Sequence, residues 1–203
     1  MLEVFVQSFV LYFVVIDPIG NTPIFMSITQ SQHGREKYIT AIEGVIIATI
    51  ILIFFSIIGQ FLLSYLNISL ESFRIAGGII LFLIAIEMLF NKRQERKQQI
   101  INQNNEKLSV FPLAIPILAG PAAITSVIVI TTKYQGNFIF QSINLLGLIF
   151  VMIITLVLFL LLAKTDKFLN KNITNIISRV IAIILAALSI QYIIDGLLIL
   201  FKI

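Results

Sequence analysis

The sequence predicts an all-α integral membrane protein: six transmembrane helices arranged as two inverted three-helix repeats, with helices 1 and 4 broken near mid-membrane. Three observations predict it. Of 203 residues, 59% are hydrophobic and only 12% charged, against about 25% charged in a soluble domain. Six apolar runs each approach the roughly 20 residues that a helix needs to cross a bilayer. Two of those runs carry proline pairs at one internal spacing.

The charge deficit decides the class. So little polar surface cannot cover the outside of a soluble fold, so lipid must cover it. That excludes a soluble enzyme, a disordered tail and a disulfide scaffold. The chain has no cysteine and a single histidine, His33. Thiolate chemistry and multi-histidine metal or haem sites are therefore excluded, and no metal or cofactor is expected. The net charge of +4 does not signal nucleic-acid binding, because in a membrane protein the placement of basic residues outweighs their sum.

The runs cover about 4–29, 38–65, 72–90, 109–132, 138–163 and 180–201. The first opens Met1-Leu2-Glu3, with no basic n-region and no small-x-small cleavage site after it, so it reads as a helix and not as a signal peptide. In the second, Ile46 to Ile58 is apolar on every face, as is Ile149 to Leu162 in the fifth. Barrel strands would alternate instead. The third carries Gly77-Gly78 and the sixth Ala182, Ala186 and Ala187, small residues suited to close helix packing. One membrane domain is expected over 1–203: repeat one about 1–90, a polar cytoplasmic linker about 91–107, and repeat two about 108–203.

Basic residues set the orientation. Eleven of the fourteen Lys and Arg, from Arg35 and Lys37 through Lys92 and Lys107 to Arg179, fall on connections one, three and five. Only Arg74, Lys133 and Lys202 fall on the other side. Short-loop Lys and Arg mark the cytoplasm, which puts both termini on the periplasmic side.

The first run contains Asp17-Pro18-Ile19-Gly20-Asn21-Thr22-Pro23 and the fourth Ile115-Pro116-Ile117-Leu118-Ala119-Gly120-Pro121. Pro18 to Pro116 and Pro23 to Pro121 are both offsets of 98. Arg74 and Arg179 each open an apolar run, at an offset of 105. Three helices per half make the second half enter from the opposite side, which is an inverted repeat.

Proline lacks an amide hydrogen and clashes with the preceding turn, so each pair is expected to open an unwound segment. Such a segment must face protein or a water-filled cavity. Pro23 and Pro121 suit the first position of a new helix, with Thr22 and Gly120 as caps. The candidate substrate-binding residues are Asp17, Gly20, Asn21, Thr22, Pro23, Gly120, Pro121 and Thr125. Half-helix amides after Pro23 and Pro121 would meet a carboxylate. Asp17, deep in its run, would hold an ammonium or carry the coupling proton or sodium ion. Two bland readings stand beside these: kinked helices that only pack, and an Asp17 carboxylate that only satisfies amides freed by Pro18.

These residues resemble the MarC family of bacterial membrane proteins. Asp17 through Pro23 looks like its hallmark. Arg74-Ile75-Ala76-Gly77-Gly78 with Glu87-Met88, Pro116 through Pro121 and Gln191 through Gly196 also look like its pattern. The resemblance implies six transmembrane helices in the bacterial inner membrane. Some relatives are described as transporters of small neutral amino acids.

The leading expectation is thus a secondary transporter of small solutes, such as neutral amino acids, and not an enzyme. No phosphate-binding loop is present, so the drive would come from ion gradients or a separate ATPase. A passive channel and a structural membrane subunit without a ligand are the alternatives. The expected partners are the lipid bilayer, a small neutral amino acid with a proton or sodium ion, and no nucleic acid. A homo-oligomer is compatible with this reading.

Overall fold

A computed structural model describes residues 1–90, 92, 109–165 and 171–201. The expected linker 91–107 lies outside the described residues apart from residue 92. Among the described residues all regular structure is helical, in the order α1 (Leu2–Ile16), α2 (Thr22–Ile28), α3 (Arg35–Tyr65), α4 (Leu70–Leu89), α5 (Ser109–Leu118), α6 (Pro121–Lys133), α7 (Phe138–Thr165) and α8 (Lys171–Phe201). Four of them, α3, α4, α7 and α8, are long and apolar enough to cross a membrane. The bent pair α5–α6 makes a fifth span if taken as one. The first apolar run is divided between α1, with 15 residues, and α2, with seven. Neither alone reaches the roughly 20 residues of a full span.

Helix ends follow local chemistry. Asn67 closes α3 at φ 54, and the Ile68 N–H reaches back to Leu63 O at 2.9 Å. This left-handed turn satisfies carbonyls that the helix leaves free. Ser69 then caps α4 by accepting the Ser72 N–H at 3.1 Å. The last helix starts at Lys171, earlier than the expected 180. Its added turns bury Thr174 and Ser178, four residues apart on one face. Polar residues read as a connection in sequence are there part of the packed helix.

The outward face of α3 exposes Ile46, Ile50, Phe54, Ile57 and Phe61, as a lipid-facing surface requires. Inside, small residues set the approach of neighbours. The most extensive packing is α4 on α8. A Cβ built at Gly78 would lie 2.7 Å from Ser189 O, and one at Gly196 would lie 3.0 Å from Glu71 O. Rising along α4 therefore descends along α8, and the two are antiparallel. Helix α1 packs on α7, where Gly147 admits Ser8, and Phe25 of α2 stacks on Phe159 of α7 at 4.4 Å. Helix α5 packs on α3, where Gly44 admits Leu113 and the Ser109 hydroxyl donates to Glu43 Oε2 at 2.8 Å. Helix α6 continues along α3, with Ile128 against Gly59.

Candidate functional site

The first break runs from Asp17 to Asn21. Helix α1 stops because Pro18 cannot donate to the ladder and disfavours helical geometry in the residue before it. Asp17 takes φ 55 and ψ 64, with its N–H bonded to Phe13 O at 3.0 Å. Asp tolerates this left-handed conformation because its side chain can bond locally. It does so here: Asp17 Oδ1 accepts the Gly20 N–H at 3.0 Å. A Cβ at Gly20 would strike that carboxylate, lying 2.6 Å from Asp17 Cγ. Gly20 is thus required by close approach.

Other groups freed by the break are satisfied within it. The Asn21 N–H reaches Asp17 O at 3.0 Å, and its Nδ2 donates to Ile16 O at 2.7 Å. The Thr22 hydroxyl donates to Ile19 O at 2.7 Å. Asp17, Asn21 and Thr22 are all buried. The cap differs by one position from expectation. Asn21 is the cap residue and Thr22 already belongs to α2, with Pro23 inside the first turn. Asn21 makes no side-chain cap bond, and the Thr22 hydroxyl bonds back to Ile19 O.

The second break is built differently. In α5, Phe111 and Ile115 adopt extended backbone angles, and the Phe111–Pro112 and Ile115–Pro116 peptides are cis. Pro112 stands outside the 98-residue pairing of Pro116 and Pro121, and its spacing of four from Pro116 is its signal in the sequence. The Ala119 N–H closes α5 on Ala114 O at 2.8 Å. Gly120, extended at φ −82 and ψ 173, then precedes Pro121, the first residue of α6. A Cβ at Gly120 would strike Pro116 O. The axes of α5 and α6 differ by 55°.

Helix α6 has 13 residues, and its first bond back to the cap is the Ile124 N–H to Gly120 O, at 3.0 Å. The Ala122 and Ala123 amides precede that bond, so they lie at the positive end of the helix dipole. One turn on, Thr125 is buried against Gly77 of α4. Ser126 is fully buried, and its hydroxyl has no hydrogen-bond partner among the described residues.

Asp17, Gly20, Asn21 and Thr22 therefore form one hydrogen-bonded knot, with Pro23 in the turn that follows. Gly120 and Pro121 form a second break, with Thr125 beyond it. Helix α1 packs on α6, while the main contact of α2 is with α7. Only α6 of the two half-helices that follow the breaks is long enough for a substantial dipole.

A polar chain, missed in sequence, links four helices, buried at Tyr12 and Asn144 and half-buried at Thr131 and Ser56. The Tyr12 hydroxyl donates to Asn144 Oδ1 at 2.9 Å, and Asn144 Nδ2 donates to Thr131 Oγ1 at 3.2 Å. Thr131 Oγ1 lies 2.9 Å from Ser56 Oγ. Tyr12 and Asn144 are almost fully buried. Asn144 inside an apolar run was the one available signal. Among the described residues, no group of three or more His, Asp or Glu is placed to hold a metal ion.

Known proteins place the chain in a family. The family described as MarC family integral membrane protein matches residues 2–201. A UPF0056 membrane protein of Archaeoglobus fulgidus is 33% identical over 201 residues, covering 97% of this chain and 93% of its own. One from Buchnera aphidicola subsp. Schizaphis graminum is 34% identical over 197 residues, covering 97% of each. The UPF0056 inner membrane protein YhgN of Escherichia coli is 29% identical over 195 residues, covering 95% of each. No solved structure matches the chain. With the helical spans described above, these matches identify the chain as a multipass integral membrane protein that belongs to the MarC family.

Proposed function

We propose that the chain is a secondary transporter of small solutes, such as neutral amino acids, and not an enzyme. It has six spans, with α1–α2 as the first and α5–α6 as the fourth. The spans form two inverted repeats, about 1–90 and 108–203, joined by the linker. It resides in a bacterial inner membrane with both termini periplasmic, as the basic connections favour.

The observation that carries this reading is an exchange of packing between the halves. Helix α1 packs on α7 as α5 packs on α3, and α2 touches α7 as α6 touches α3. Helices α4 and α8 pack antiparallel on each other. Exchanging α1 with α5, α2 with α6, α3 with α7 and α4 with α8 maps these contacts, and that of α3 with α7, onto one another, whereas those of α6 with α1 and α4 and of α1 with α8 have no counterpart of similar extent. A two-fold axis in the membrane plane would relate the shared contacts, and discontinuous helices near such an axis hold the substrate in many secondary transporters.

The substrate carboxylate then meets the Ala122 and Ala123 amides beyond Gly120 and Pro121. Asn21, Thr22, Pro23 and Thr125 complete the proposed binding residues. Asp17, held by Gly20, binds the ammonium or carries the coupled proton or sodium ion. Purified protein in sealed vesicles tests this. Saturable accumulation of labelled alanine above equilibrium, driven by an imposed proton or sodium gradient, is expected. Fast unsaturable flux down the gradient would indicate a passive channel. No flux with any solute under either gradient would indicate a structural subunit.

A further inference from the structure

A cavity apart from the breaks opens where α1 begins and α6 and α8 end. It measures about 350 Å³ and lies between those three helices. Its walls are mostly aliphatic, from Val10 of α1, Ile130 of α6 and Leu188 of α8, but two residues of opposite charge also line it, the exposed Lys133 of α6 and the half-buried Asp195 of α8. Each charge is met by an amide and not by the other charge. Lys133 Nζ reaches Gln7 Oε1 at 3.4 Å, and Asp195 Oδ1 accepts from Gln191 Nε2 at 2.6 Å. Gln7 and Gln191 line the same cavity.

The amides are held in turn. Gln7 Oε1 also accepts the Tyr134 hydroxyl at 3.1 Å, and Gln7 Nε2 donates to Glu3 Oε1 at 3.3 Å. Burial, with the Glu3 carboxylate nearby, pushes the Tyr134 phenol above its ordinary range, so it stays a donor. Tyr134 thereby fixes Gln7, and Gln7 steadies the Lys133 ammonium.

Opposite charges that line one apolar-walled cavity, each bonded to an amide and not to the other, are complementary to a ligand carrying both signs. We propose that this cavity binds a small zwitterion, with Lys133 taking the anionic oxygens and Asp195 the ammonium. Two sources supply that chemistry: a free α-amino acid and the headgroup of phosphatidylethanolamine. The site stands whether or not the chain transports anything, because binding here is an equilibrium property of a cavity apart from the breaks.

The test uses the full chain in nanodiscs of phosphatidylglycerol, which carries no ammonium, with thermal unfolding as readout. L-alanine is titrated in one arm. In the other, phosphatidylethanolamine replaces part of the lipid. Lactate, with no ammonium, and ethylamine, with no carboxylate, are the controls. At least one zwitterion source is expected to raise the melting temperature while both controls leave it unchanged. Lys133→Gln and Asp195→Asn are each expected to weaken that response about tenfold or more, the loss of one charge-assisted contact. Both variants keep polar groups at the cavity edge, and their ligand-free melting temperatures report whether they fold. If alanine alone acts, the ligand is a free solute; if phosphatidylethanolamine alone acts, it is a lipid headgroup. The proposal is overturned if neither source stabilises the protein, if a control works as well, or if both variants respond like the parent.

Discussion

The Tyr12 hydroxyl on α1 donates to Asn144 Oδ1 on α7 at 2.9 Å, across 132 positions of sequence. Asn144 passes the connection to Thr131 on α6, and Thr131 to Ser56 on α3. Four helices from both halves of the chain thus share one polar chain, buried at Tyr12 and Asn144. Polar side chains in an apolar slab bond to each other because neither lipid nor water can satisfy them.

Tyr12→Phe removes one bond of that chain and is expected to cost roughly 0.6–1.7 kcal/mol, the range of interhelical hydrogen bonds in membranes. Asn144→Leu removes two and leaves the buried Tyr12 hydroxyl without its acceptor, so it should cost more than Tyr12→Phe. Unfolding in mixed micelles with increasing denaturing detergent measures both. Equal stability of Asn144→Leu and the parent would contradict the network.

The Asp17–Gly20 contact separates shape from charge. Gly20→Ala places a Cβ against the Asp17 carboxylate and should cost about 1–3 kcal/mol, as overpacking does. Asp17→Asn keeps the Oδ1 acceptor and tolerates the positive φ, so its stability should stay within about 1 kcal/mol of the parent. It removes the charge, and gradient-driven accumulation in vesicles should be lost. Accumulation at the parent level would make Asp17 structural and move the coupling role to Glu43, Glu87 or Asp195.

Close packing of α4 on α8 rests on two glycines. A Cβ at Gly78 meets Ile193 Cγ1 at 2.6 Å, and one at Gly196 meets Ile75 Cγ1 at 2.7 Å. Gly78→Leu should force the helices apart and destabilise the protein by roughly 1–3 kcal/mol or more. Gly136→Ala is the comparison: nothing lies within 4 Å of a Cβ there, and only its φ of 80 resists the change. If Gly78→Leu melts with the parent, the packing is wrong.

Orientation is checked with single cysteines, since the chain has none. Gln135, exposed between α6 and α7, and His33, exposed between α2 and α3, lie on opposite sides under the proposed topology. A membrane-impermeant maleimide should label Gln135→Cys in intact cells and His33→Cys only after permeabilisation. The reverse pattern would invert the topology.

The helical stretches were legible because a hydrocarbon slab imposes a length and a composition on anything that crosses it. Apolar runs of the right length bounded by Gln, Lys, Asn and Arg therefore sit close to the helices found. The breaks were legible for a backbone reason. Pro18 and Pro116 lack an amide hydrogen, and Gly20 and Gly120 have no side chain to exclude a neighbour. Both are properties of the residue itself, whatever surrounds it.

Partnership was not legible. Tyr12, Thr131, Asn144 and Ser56 look like isolated polar residues until helix rotation turns them toward one another. Asn21, and not Thr22, stands at the cap, and the Thr22 hydroxyl meets the Ile19 carbonyl instead. Lys133 and Asp195, 62 positions apart, line one cavity only because α6 and α8 end beside α1. Sequence alone thus determined the solvent, the helical class and the places where backbone bonding must fail, since each depends on local covalent chemistry and transfer energy. Which side chains meet across those helices was decided by tertiary packing, because contact depends on the rotation and depth of every helix at once.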